Sequence, residues 1–104
     1  MSSTSLQGRN VVVTGGSRGI GRAIAIRLAE AGADVALTYR ERASEAEQVV
    51  WEIKTKGRRA IALQMDVTRR ESVERVARDA RTALGPPRLT FSLPSRFFEA
   101  SWKA

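Results

Sequence analysis

The sequence predicts an α/β fold: a doubly wound parallel sheet with helices on both faces, cut to about three strand–helix units. Three observations lead there. Short aliphatic, partly β-branched runs begin near residues 10, 35 and 60. Each is followed by a longer stretch whose apolar residues recur at helical spacing. Glycines stand where the helices should stop, at Gly32, Gly57 and Gly85.

The first run, Asn10 to Thr14, reads Asn-Val-Val-Val-Thr. It is continuous rather than alternating, as suits a strand buried on both faces. A glycine cluster follows at Gly15, Gly16, Gly19 and Gly21. A first helix is then expected, with Ile20, Ile24, Leu28 and Ala31 as its inner stripe and Gly32 as its C-terminal cap. Val35 to Tyr39 forms the second strand. Ala43 to Lys56 forms the second helix, buried through Ala46, Val49, Val50 and Ile53 and ended by Gly57. The third strand spans Ala60 to Met65. Thr68 and Glu71 have capping-box spacing for a third helix, whose inner stripe is Val73, Val76, Ala77, Ala80 and Leu84. Gly85-Pro86-Pro87 stops it.

Strands alternating with helices of this length imply right-handed parallel crossovers. Three such units make half of a three-layer Rossmann sheet, with strand order 3-2-1. We therefore expect a nucleotide-binding half-domain at 1–86 and an atypical tail at 87–104. The tail holds all three phenylalanines and one of the two tryptophans. Its Arg88 to Leu93 alternates polar and apolar side chains, so it reads as a half-exposed strand ended by Pro94. The first strand is expected to have an open far edge, with this segment as the substitute that would pair there.

Composition narrows the chemistry. With 104 residues, one domain is the ceiling. There is no cysteine, hence no disulfide framework or thiolate, and no histidine, hence no histidine-based triad or zinc site of the usual type. The start at 1–7 is polar and no apolar run is long enough to span a bilayer, so a cytoplasmic protein without a membrane partner is expected. The net charge is +7, with 15 basic against 10 acidic residues in 1–86. These charges are dispersed over helix faces, and no nucleic-acid-binding motif accompanies them, so no nucleic-acid partner is expected.

The informative segment is Thr14-Gly15-Gly16-Ser17-Arg18-Gly19-Ile20-Gly21. It leaves a strand and opens a helix, the setting a dinucleotide fingerprint requires. A tight turn there needs positive φ. A pyrophosphate must approach the backbone closely, and the helix start offers unpaired N–H groups and partial positive charge. The last glycine allows close helix–strand packing. Ser17 can offer its hydroxyl and N–H to phosphate or ribose oxygens, while Thr14 is expected to tie the turn to neighbouring backbone.

This Thr-Gly-x3-Gly-x-Gly run, continued by Arg22-Ala23-Ile24-Ala25, resembles the cofactor-binding opening of short-chain dehydrogenases/reductases, especially 3-oxoacyl-(acyl carrier protein) reductase-like members. The resemblance covers 7–86. It implies an oxidoreductase that moves hydride between NADP(H) and a small carbonyl or alcohol substrate. It implies cofactor-binding roles for Gly15, Gly16, Ser17, Arg18, Gly19, Ile20, Gly21, Tyr39, Arg40, Asp66 and Val67. A carboxylate at the end of the second strand would select NAD by binding the ribose 2′-hydroxyl. Here Tyr39-Arg40 stands in its place, and Arg40 with Arg18 can hold a 2′-phosphate. Asp66 would meet the adenine amino group, and the Val67 backbone the ring. Longer members of the family are commonly homo-oligomers.

The family's Asn-Asn-Ala-Gly segment is absent after Gly85, and so is its catalytic Ser with Tyr-x3-Lys. The one tyrosine, Tyr39, has Ala43 four positions on, and the lysines are Lys54, Lys56 and Lys103. No catalytic residue and no metal ligand is therefore assigned. The chain is expected to be a truncated, frameshifted or mis-spliced copy of a longer reductase. The alternative function is that of an inactive nucleotide-binding fragment.

Overall fold

A computed structural model describes residues 6–15, 19–66 and 68–85, together with the backbone of 89–91. The chain runs β1 (Asn10–Val13), α1 (Gly19–Glu30), β2 (Asp34–Tyr39), α2 (Ala43–Thr55), β3 (Ala60–Gln64), α3 (Arg70–Leu84) and β4 (Leu89–Phe91). The three expected strand–helix units are present, with ends shifted by a residue or two. All strand pairs are parallel, in the order β3-β2-β1-β4. In register, Val12 of β1 faces Ala36 of β2 on one side and Thr90 of β4 on the other.

β1 thus has no open far edge. The expected edge is covered by Leu89–Phe91, a shorter run than the Arg88 to Leu93 read from the alternation. A parallel partner satisfies the backbone groups of β1 that would otherwise face solvent.

Side chains leave the sheet alternately to its two faces. Val11, Val13, Val35 and Leu37 pack with α1 and α2, including Ala25, Ala29, Val49 and Ile53. Val12, Ala36 and Met65 pack on the other face with Val73, Val76, Ala80 and Leu84 of α3. The result is three layers. Ile53 is fully buried, a burial that contributes about 1.5–3 kcal/mol. An Arg22–Glu52 ion pair links α1 to α2 on the outside.

The expected inner stripe of α1 is corrected. Ile20 is 73% exposed, while the buried face is Gly21, Ala25 and Ala29, with Ile24 and Leu28 only half-buried beside it. Small residues at this spacing let α1 lie close on β1 and β2, and that proximity leaves no room for a stripe of larger side chains. The helix ends as anticipated. Gly32 N–H donates to the Ala29 carbonyl at 2.9 Å and Ala33 N–H to the Leu28 carbonyl at 3.1 Å, which is the Schellman pattern.

The capping box at α3 is corrected as well. The helix starts at Arg70, and the residue ahead of it, Arg69, makes no side-chain capping bond. The Thr68 hydroxyl instead donates to Asp66 Oδ1 at 2.6 Å. With the helix starting at Arg70, Thr68 stands one residue ahead of the N-cap position, and its hydroxyl and N–H close a local turn on Asp66 Oδ1 instead.

Candidate functional site

The candidate site lies where the carboxyl ends of β1, β2 and β3 meet, the edge at which open parallel sheets bind ligands. Three turns leave the sheet there. Each is shaped by a different residue type.

The turn after β1 is built on glycine backbone. Gly15 has φ +72° and Gly19 φ +62°, values that strain other residues. Among the described residues, a Cβ added at either would meet nothing within 4 Å, so the demand there is conformational. Gly15 N–H donates to Thr38 Oγ1 of β2 at 2.9 Å. Thr14, of which a tie to this turn is expected, is buried. Thr38, which the sequence reading does not single out, ties the turn from the adjacent strand. A threonine near the end of a neighbouring buried strand is the signal that would have pointed to it.

Gly19 opens α1, so the helix start faces this edge. Gly21 is buried against the sheet, in keeping with its packing role, and Ile20 projects outward. Gly16, Ser17, Arg18 and Val67 lie outside the described residues.

The turn after β2 carries charge. Tyr39 is half-buried and Arg40 exposed. Among the described residues Arg40 holds no ion pair. The turn after β3 carries the carboxylate. Asp66 Oδ1 accepts from both the N–H of Thr68, at 3.0 Å, and its hydroxyl. Asp66 N–H donates to Ser72 Oγ at 2.9 Å, so a serine in the first turn of α3 fixes the aspartate's backbone. Ser72 is a second residue the sequence reading missed. Its type, in a first helical turn just past a strand end, is the available clue.

The Thr68 hydroxyl, then its N–H, hold the Asp66 carboxyl below its ordinary pKa of 3.8, and the positive charges of Arg40 and Arg69 act in the same direction. Asp66 is therefore ionised at neutral pH and close enough to Arg40 for their charges to interact. Asp66 Oδ2 receives no hydrogen bond among the described residues and is left to accept from a ligand.

The arrangement can offer an anion the main-chain N–H groups at the start of α1, a guanidinium at the second turn and an acceptor oxygen at the third. Among the described residues it brings together no tyrosine–lysine pair and no cluster of His, Cys, Asp or Glu suited to a metal. No helix among them is long and apolar enough to cross a membrane.

Comparison with known proteins agrees with this geometry. Residues 9–88 match the short chain dehydrogenase family. The 3-oxoacyl-[acyl-carrier-protein] reductase FabG of Staphylococcus epidermidis is 42% identical over 77 residues, covering 74% of this chain and 32% of that protein. An NADPH-dependent aldehyde reductase-like chloroplastic protein of Arabidopsis thaliana is 43% identical over 91 residues, covering 79% of this chain and 34% of that one. Among solved structures, a short chain dehydrogenase from Burkholderia cenocepacia in complex with NADP superposes with a TM-score of 0.81 at 47% identity, over 84% of this chain and 36% of that one. The chain spans about a third of the length of the curated relatives it matches.

Proposed function

The chain belongs to the short chain dehydrogenase family, and from that premise we propose that it holds the adenosine and pyrophosphate part of NADP(H) in an oxidoreductase acting on a small carbonyl or alcohol substrate. The observation that carries the reading is the convergence of three groups at one sheet edge: the positive-φ glycine turn, Arg40 with no ion pair among the described residues, and the half-engaged Asp66. The Burkholderia relative's complex with NADP and the name of the Arabidopsis relative point the same way.

Each group has a part in the proposal. The backbone at Gly15, Gly16 and Gly19, with the start of α1, takes the pyrophosphate. Arg40, joined by Arg18, takes the ribose 2′-phosphate, and no carboxylate at Tyr39 or Arg40 opposes it. Ser17 bonds a phosphate or ribose oxygen, Ile20 and Tyr39 line the cofactor, and Asp66 with the Val67 backbone receives the adenine. When bound, NADP(H) supplies or accepts the hydride. The ribose end of the site decides which nicotinamide cofactor is held, and the chain's own residues carry that choice. The half-domain boundary at 86 and the cytoplasmic compartment are proposed on the sequence alone.

A second reading has its own observation. No Tyr-x3-Lys pair exists in these 104 residues, so the chain can bind nucleotide without turnover. One preparation tests both. The chain is titrated with NADPH and NADH, then assayed for carbonyl reduction. Tighter NADPH binding that reverses in Arg40→Asp supports the cofactor reading, and equal binding before and after that change overturns it. Measurable turnover by the pure chain removes the second reading.

A further inference from the structure

Gln64 ends β3 opposite Tyr39, and its exposed side chain reaches sideways along the strand ends. Its Nε2 donates to the Arg40 carbonyl at 3.3 Å. From the other side, Arg75 of α3 donates from Nη2 to the Gln64 carbonyl at 2.8 Å and to Gln64 Oε1 at 3.3 Å. An amide side chain has one accepting and one donating end. Only one of its two orientations gives the guanidinium an oxygen and the Arg40 carbonyl an N–H, so the Arg75 bond sets which way Gln64 points. The last bond of the ladder between β2 and β3 runs from Met65 N–H to the Tyr39 carbonyl at 2.8 Å. One residue on, the Gln64 amide holds the Arg40 carbonyl before α2 begins at Ala43.

We infer that Gln64 and Arg75 are positioning residues for cofactor preference: α3 orients Gln64, and Gln64 fixes the main chain from which Arg40 presents its charge to a 2′-phosphate. Nothing in the core depends on them. Gln64 and Arg75 are both exposed, and the bonds join the end of β3 to the turn after β2 and to the second turn of α3. Without the relay Arg40 starts from a looser backbone, and ordering it on binding then costs affinity. The cost falls on a ligand that uses Arg40 and spares one that does not. The inference rests on Arg40 being the 2′-phosphate partner.

Dissociation constants for NADPH and for NADH are measured by fluorescence titration on the intact chain and on Arg40→Ala, Gln64→Ala, Gln64→Glu, Arg75→Ala and the double variant Arg40→Ala/Gln64→Ala. Thermal melting of each runs alongside. Loss of one hydrogen bond predicts NADPH binding about threefold to tenfold weaker in Gln64→Ala, with NADH binding unchanged. Gln64→Glu keeps the acceptor for Arg75 but loses the donor to Arg40, so it is expected to lose at least as much. Arg75→Ala loses less, and adding Gln64→Ala to Arg40→Ala changes nothing further. Equal loss of both cofactors in Gln64→Ala, or loss of neither, overturns the relay while leaving Arg40 in place. An unchanged preference in Arg40→Ala overturns the 2′-phosphate reading and the relay with it.

Discussion

The two ends of the sheet are built differently. At the amino ends of the strands, charged side chains are spent on other parts of the chain. Arg59 pairs with Asp34 at 2.9 Å and donates to the carbonyls of Ala83 and Leu84 at the end of α3. Arg58 donates to the Gly32 carbonyl at 2.9 Å, and Lys56 pairs with Glu30. At the carboxyl ends, Arg40 and Arg69 hold no ion pair among the described residues, and Asp66 uses one oxygen on its own turn. One end closes on itself. The other keeps charge and the start of α1 available, in the way functional sites hold residues that stability alone would not require.

This contrast predicts that substitutions at the two ends have separable effects. The largest is expected at the closed end. Gly32 has φ +107°, and an added Cβ would lie 2.9 Å from the Gln7 nitrogen, a backbone atom that cannot easily move. Gly32→Ala is expected to destabilise the fold by about 2–4 kcal/mol, read from the denaturant midpoint. At the open end, a Cβ added at Gly19 meets no described atom within 4 Å, but Gly19→Val is strained at the positive φ. It is expected to weaken NADPH binding about tenfold or more while costing less stability than Gly32→Ala. If the order of the two stability effects reverses, the contrast fails.

A smaller effect separates pairing from packing. Arg59→Ala is expected to cost about 1 kcal/mol, since an exposed ion pair contributes little and the helix-end carbonyls add a similar amount. A double-mutant cycle with Asp34→Ala measures the share that belongs to the pair, and NADPH affinity should not change in either variant.

The smallest effect is a titration. The folded-state pKa of Asp66 lies below the unfolded value, so its bonds stabilise the turn above about pH 4 and are lost as pH falls through the lowered folded pKa. A carboxyl-carbon NMR titration should place its midpoint below 3.8 and move it upward in Thr68→Ala. An unmoved midpoint would show that Thr68 is not the main cause.

The order of elements and the sheet edge at which the candidate residues gather are legible because both rest on local signals. β-branched runs, helical spacing and the glycine cluster each act over a few residues. What was not legible depended on distance or competition. The inner face of α1 was misread because Gly21, Ala25 and Ala29 carry little apolar signal, yet they decide how near the helix lies. The Thr68–Glu71 spacing suits a capping box, but α3 starts at Arg70, which leaves Thr68 one residue short of the N-cap and turned onto Asp66. The bond from Thr38 to Gly15, and those joining Gln64, Arg40 and Arg75, cross between elements and leave no periodic trace.

The place of β1 in the sheet also sets a timetable. β1 with β2, and β2 with β3, are neighbours joined by one crossover each, so these pairs can dock as the chain leaves the ribosome. β4, by contrast, comes from beyond α3, and its pairing closes the longest loop in the sheet. β1 therefore keeps one side unpaired until β4 reaches it. During that interval its unsatisfied flank is where a chaperone or a second nascent chain would find purchase.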